Sequence, residues 1–424
     1  MRIFLKKILK HIKLLLSILL AAGIFFACLG PLRPLLNWHE QQHLFRWTSS
    51  YFSEQWASPG GCKELFASFV TQFFYIGWLG ALLVALLSVL LQLLVWQLMK
   101  WCRLGKNILY PLSFIPSLWL FYQIFIPTAY NEDPAFKESV TYDYLVRHHQ
   151  WDKIVRHSLS TPPTTLHGKW CTNYALAMRG QLNDQLFQFP QSGPDGLLQD
   201  GRHVESLPLF ALSDIFLQLG CVNDAERMAF DAIQLMPDHH KSGRLYQRLA
   251  ECNLINGDTV IAQKYMRILN STLFYSGQIE TAEQSRAYRV AADSLLTPLI
   301  PHKLQSLISE HPDNRLAQDY LLAYQLLRLD FNGVLDAELA VQKQAPRVAP
   351  RAVQECIIGN WVLTHPNDSF PIPLSPDIFD QTMKYMQVVN RTGNMLDPSL
   401  SSDAHLHSYW HYYAESKQKI KEKP

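Results

Sequence analysis

The sequence lacks the short motifs that announce most enzymes. It contains no G-x-S-x-G, His-Glu-x-x-His, P-loop or G-x-G-x-x-G, so no nucleophile elbow, zincin helix or phosphate cradle is written in it, and no cofactor is expected. Its seven cysteines are odd in number, scattered, and never spaced as Cys-x-x-Cys. That pattern excludes a zinc knuckle or a dithiol redox centre and leaves most of them as small buried hydrophobes. Strand signals are scarce after residue 130. Charge is absent from three long runs, Leu14–Leu29, Val70–Met99 and Ile108–Ile126. With no charge inside them and no inverted repeat, transport by this chain alone is not expected.

The runs themselves are rich in Leu, Phe, Val and Trp. Val70–Met99 would reach about 45 Å as one helix, more than the ~30 Å hydrocarbon core of a bilayer. The expected architecture is all-α: a transmembrane region over residues 1–130, with spans at about 14–29, 70–99 and 108–126, then an α-solenoid. Pro111 and Pro116 make the third span the weakest of the three, although prolines are tolerated in membrane helices. Gln72, Gln92 and Gln97 are expected to hydrogen-bond between helices. Phe26-Ala27-Cys28 faintly suggests a lipoprotein cleavage site, but bulky Phe25 and Phe26 and the later spans favour an uncleaved first helix.

Eleven Lys and Arg against three Asp and Glu precede residue 131, whereas 27 stand against 33 after it. The acidic second part is a poor match for nucleic acid. Arg2, Lys6, Lys7, Lys10 and Lys13 flank the first run, and Lys100, Arg103 and Lys106 fill the turn after the second. Positive residues collect on the cytoplasmic side. This puts the N-terminus inside and the large polar part outside, in the periplasm of a Gram-negative cell; failure of the third span would invert the assignment. The connection over residues 37–66 carries Trp38, Phe45, Trp47, Tyr51, Phe52 and Trp56, which suits a membrane interface, and closes on the turn Pro59-Gly60-Gly61.

Residues 131–395 repeat apolar positions every three or four residues, the helical period. Gly220, Ala225, Ala229, Ala232 and Pro237 read as the turn and second helix of a tetratricopeptide-like hairpin. The arrangement recurs 37 residues on at Gly257 and Ala262, and more weakly from Leu316 to Pro346. Stacked hairpins bury faces that one hairpin cannot, and leave a groove suited to a protein segment. Asp403, His405, His407 and His411 are the best metal candidates: His407 and His411 share a helix face, yet their aromatic neighbours favour a packed C-terminal helix over 396–424. His148-His149 and His239-His240 read as helix-end or loop residues.

Several short matches accompany this pattern: Gln41-Gln42-x-x-Phe45, Tyr51, Pro59-Gly60-Gly61, Thr71-Gln72-Phe73-Phe74, Trp151-Asp152-Lys153-Ile154, Gly180-x-Leu182, Leu186-Phe187 and Pro190-Gln191-x-Gly193. Ser242-Gly243-Arg244, Leu249-Ala250-Glu251, Tyr265, Pro312-x-Asn314 and Gln354-Glu355 follow. Over nearly its whole length the chain thereby resembles an uncharacterised family of Bacteroidota inner-membrane proteins. The resemblance implies transmembrane helices joined to a tetratricopeptide-like domain and supplies no catalytic residue. The leading expectation is a scaffold that meets membrane lipid through its spans and a protein partner through the repeat groove. The alternative is an envelope enzyme, or enzyme subunit, acting on a lipid-linked or glycan substrate, its site built from the aromatic loop and the His-rich tail. A third is a subunit of a larger membrane complex, held through its spans.

Overall fold

A computed structural model describes residues 2–126, 128–202, 204–237, 240–277, 300–344, 346–365 and 368–422. These residues are helical with no β-strand, as the periodicity implies. The chain divides into two compact units. The first contains residues 1–144, 233–250 and 259–279; the second contains 145–232, 251–258 and 280–424.

Three segments of the first unit are long and apolar enough to cross a membrane: His11–Leu29, Gly77–Trp101 and Asn107–Phe125. The first is the end of α1 (Arg2–Leu29), which leads through a turn into α2 (Arg33–Gln42). The loop after α2 holds α3 (Ser49–Ala57).

The uncharged run from Val70 is not one helix. Here α4 (Gly61–Thr71) ends in a 3-10 turn over Gln72–Tyr75, Ile76 is extended, and α5 (Gly77–Trp101) begins afresh. A break exposes backbone carbonyls that need donors. Arg33 supplies them: its guanidinium donates to Phe74 O at 2.8 Å and Tyr75 O at 3.5 Å. A Cβ on Gly77 would lie 2.7 Å from Arg33 Nε, so glycine is what lets the side chain approach. The helix long and apolar enough to span is therefore α5, and at about 37 Å it still exceeds a bilayer core.

The third run is built differently. Asn107–Phe114 is 3-10, with Pro111 inside, and α6 (Ile115–Phe125) carries Pro116 in its first turn, where proline is accepted. A 3-10 helix rises about 2.0 Å per residue, so the nineteen residues reach about 32 Å.

One buried glutamine joins all three spans. Ser17 Oγ donates to Gln92 Oε1 at 3.0 Å, Gln92 Nε2 donates to Ser113 Oγ at 2.8 Å, and Ser17 also meets the Tyr110 hydroxyl at 2.9 Å. Gln97 accepts from nearby Lys100, and Gln72 donates to the carbonyl of Phe69 in its own chain turn. Of the three glutamines, Gln92 is the one that stitches helices. Leu86, Leu90, Leu94 and Leu98 point outward, each more than half exposed.

The second unit is helical, with helices such as Arg315–Arg328 and Phe331–Gln344 packed on their neighbours in sequence. Gly220, with φ of +99°, ends Ser206–Leu219 and lets the chain turn into Val222–Leu235. Ser213 Oγ donates to Ala225 O at 2.8 Å, and Ala225, Ala229 and Ala232 are fully buried, so the small residues set close packing as their spacing implies. Arg315–Arg328 packs on Phe331–Gln344, capped at its start by Asn314 and ended by Leu329 in the left-handed region. Arg351–Thr364 packs on Pro376–Thr392 and on Tyr409–Glu422. Among the described residues no disulfide joins the seven cysteines; five are buried, and Cys62 and Cys102 are exposed.

Candidate functional site

Most residues singled out by the short matches hold the frame. Gln41 donates to Asp143 Oδ2 at 3.0 Å, and Arg244 donates to Gln41 Oε1 at 2.7 Å and Asp143 Oδ1 at 2.9 Å. The carboxylate of Asp143 is almost sealed from solvent, so Arg244 is its compensating charge. Phe45 is buried amid Trp47, Tyr51, Phe52 and Phe69, all edge-to-face. Phe73 continues that chain of rings to Phe69 and Phe274. Pro59, Gly60 and Gly61 make the turn into α4. In the second unit, Glu355 is buried between Arg351 Nε at 2.7 Å and the backbone N–H of Tyr409 at 2.8 Å. Gln354 joins Ala349 O to the N–H of Ser375. Gly257 (φ +87°) turns the chain out of Gly243–Asn256, Ala262 is fully buried in Thr259–Asn270, and Pro237 follows the end of Val222–Leu235.

Two places have geometry suited to a ligand. The first is an open groove of about 680 Å³ within the second unit, where the ends of several helices converge. Its charged lining is Arg315, Arg347, Arg351, Asp184 and Asp319, and Leu182, Val348 and Ile378 supply apolar surface. Asn183 Nδ2 donates to Asp319 O at 3.0 Å, and Asp184 accepts the N–H of Arg351 at 2.8 Å. Burial pushes the Asp319 carboxyl up to about 6, against the pull of Arg347 and the hydrogen bond from Asn183. Among the described residues, Asn183 Oδ1 and Arg347 Nε are buried with no hydrogen-bond partner. An acceptor and a donor are thus left over in the lining of one groove, where buried polar atoms are ordinarily satisfied.

The second place lies in the first unit. Among the described residues, one group of His, Cys, Asp or Glu brings three ligand atoms within 4.8 Å of one another: His43, Glu64 and His240. His43 is the residue that ends α2, Glu64 is in the first turn of α4, and His240 follows Pro237. The His43 and His240 rings lie 4.6 Å apart, centre to centre. Burial lowers the pKa of His43; Glu64 raises it and His240 lowers it further. His43 and His240 are 197 positions apart, so spacing gave no signal that they meet.

The tail histidines are arranged differently. His405 and His411 line a cavity of about 170 Å³ with Tyr385 and Asp397. His411 Nε2 lies 3.3 Å from Glu415, His407 is exposed, and the side chain of Asp403 falls outside the described residues. Tyr409 and Trp410 are buried, as an aromatic helix packed on its neighbours requires. His149 and Trp151 meet edge to face, and His239 lies outside the described residues.

These features define an all-helical protein with three membrane-length apolar segments. Residues 7–131 and 124–415 match the model of a family of unknown function, DUF6057, and the chain belongs to that family. No curated protein and no solved structure matches it.

Proposed function

We propose that this DUF6057 protein is a membrane-anchored scaffold of the bacterial inner membrane, of Bacteroidota type, whose tetratricopeptide-like array recruits a protein partner. The groove carries the reading. Its volume suits a bound segment, and its walls carry both signs of charge. Orientation rests on charge: the basic N-terminal flank and the turn Lys100–Lys106 favour a cytoplasmic N-terminus, and three spans then favour a periplasmic groove. Lipid surrounds the outward-facing leucines of α5.

Two measurements test this. A photo-crosslinking residue in place of Val348, an exposed groove residue, should trap a specific protein in cells. The same residue at Leu363, which is equally exposed but does not line the groove, should trap background only. Equal yields at the two positions would sink the groove as the recruiting surface. A reporter fused at the C-terminus should be active in the periplasm and silent in the cytoplasm.

A further inference from the structure

We infer that His43, Glu64 and His240 form a site for a divalent transition-metal ion with the ligand preference of Zn²⁺. Two imidazoles and one carboxylate are the donor set that such an ion selects, and three protein ligands leave one position for water. His43 Nδ1 lies 2.9 Å from Glu64 Oε1, and His240 Nε2 lies 3.9 Å from the same oxygen. Ligands on a tetrahedral zinc stand about 3.4 Å apart for bonds of about 2.0–2.1 Å, so these separations bracket the required edge. All three ligand atoms lie within 4.8 Å of one another.

Three further observations favour a cation over a simple ion pair. Among the described residues, His240 Nδ1 is buried with no hydrogen-bond partner. The ring's other nitrogen, Nε2, stops 3.9 Å from Glu64 Oε1, beyond hydrogen-bond distance. Glu64 keeps about two-fifths of its side chain exposed while His43 and His240 keep less than a fifth, which gives an ion a path in from solvent and a sheltered seat. The three residues come from separate segments, each held at a defined point. The backbone N–H of His43 donates to Glu40 O, that of Glu64 to Gly60 O, and that of His240 to Pro237 O. A bound ion would cross-link the aromatic loop to the segment after Pro237 inside the first unit, a cross-link whose stabilisation grows with the length of chain it closes.

The test uses the full chain in detergent, stripped with EDTA and titrated with Zn²⁺ against a competing chelator, with bound metal counted by plasma mass spectrometry. One ion per chain is expected. His43→Ala and His240→Ala should each weaken binding more than about 100-fold, beyond the roughly 10–100-fold loss typical of a supporting residue. His407→Ala/His411→Ala should bind as the parent does. Because an alanine at His43 could disturb the loop, Glu64→Gln, which keeps shape at a part-exposed position, serves as the second variant and should weaken binding likewise. Co²⁺ replacing Zn²⁺ should give the intense visible absorption of a four-coordinate ion, lost in Glu64→Gln. Absence of stoichiometric metal, unchanged affinity in the His43 and His240 variants, or loss confined to the tail double variant would each overturn the assignment.

Discussion

In the first unit the spans turn their leucines outward and meet one another through polar groups, with Gln92 fully buried between Ser17 and Ser113 while Leu90 and Leu94 are more than half exposed. In the second unit the polarity reverses. Ala225, Ala229, Ala232, Leu322 and Ala323 fill the interior, and Asn314 and Gln354 serve the ends of helices. A lipid surrounding for the first unit and an aqueous one for the second would produce this difference. Lipid tails are as apolar as leucine, so burying leucine between spans gains nothing, and close packing and hydrogen bonds must hold the helices together. In water, removing the same leucine from solvent is the main driving force.

The comparison can be broken most severely at Arg244. Arg244→Ala leaves the buried Asp143 carboxylate uncompensated and should cost about 3–5 kcal/mol, read as thermal unfolding of the detergent-solubilised chain. The double change Arg244→Leu with Asp143→Leu should cost less than the single one, because no charge is then stranded. A single-variant loss under about 1 kcal/mol would show that the network is not sealed.

In the second unit the sharper probe is Asp319. Its folded pKa of about 6 lies above its ordinary value of 3.8, so the folded state holds the proton more tightly. Its contribution is fully present below about pH 4 and is lost as pH rises through 6, a fall of at most about 3 kcal/mol. Asp319→Asn should flatten that part of the stability profile, measured by denaturant titration from pH 4 to 7. An unchanged slope would mean that Arg347, 3.9 Å away, compensates the ionised carboxylate.

The smallest effect belongs to Gln92. Gln92→Leu should cost about 0.6 kcal/mol in a detergent-driven unfolding titration, and no more than about 1.7. A larger loss would make the polar stitch, rather than packing, the main tie between spans.

How much was legible varies with the range of the interaction that decides each feature. The apolar runs, the turn at Gly220 and the buried alanines follow from local pattern, because length, period and left-handed backbone are properties of neighbouring residues. The break before Gly77 is not local. Its cause is Arg33, 41 positions earlier, whose guanidinium satisfies the carbonyls of Phe74 and Tyr75. The groove gave a weak signal in the repeat, yet its unsatisfied Asn183 Oδ1 and Arg347 Nε depend on which helix ends converge. The His43, Glu64 and His240 group was invisible. Of the short-spaced histidines, the pair four apart pointed to the tail, where aromatic packing decides the arrangement, while His239-His240 read as loop.

By itself, the sequence determined that the chain is helical, that three segments are apolar enough for a bilayer, and where the helix pairs turn. These depend on hydropathy, period and glycine, each summed over a few neighbouring residues. Tertiary structure alone decided where the long uncharged run divides, which glutamine joins the spans, how Arg244 meets Asp143, and which histidines stand together. Each of those outcomes needs a buried polar group to find its partner across tens or hundreds of residues, and no local preference carries that information.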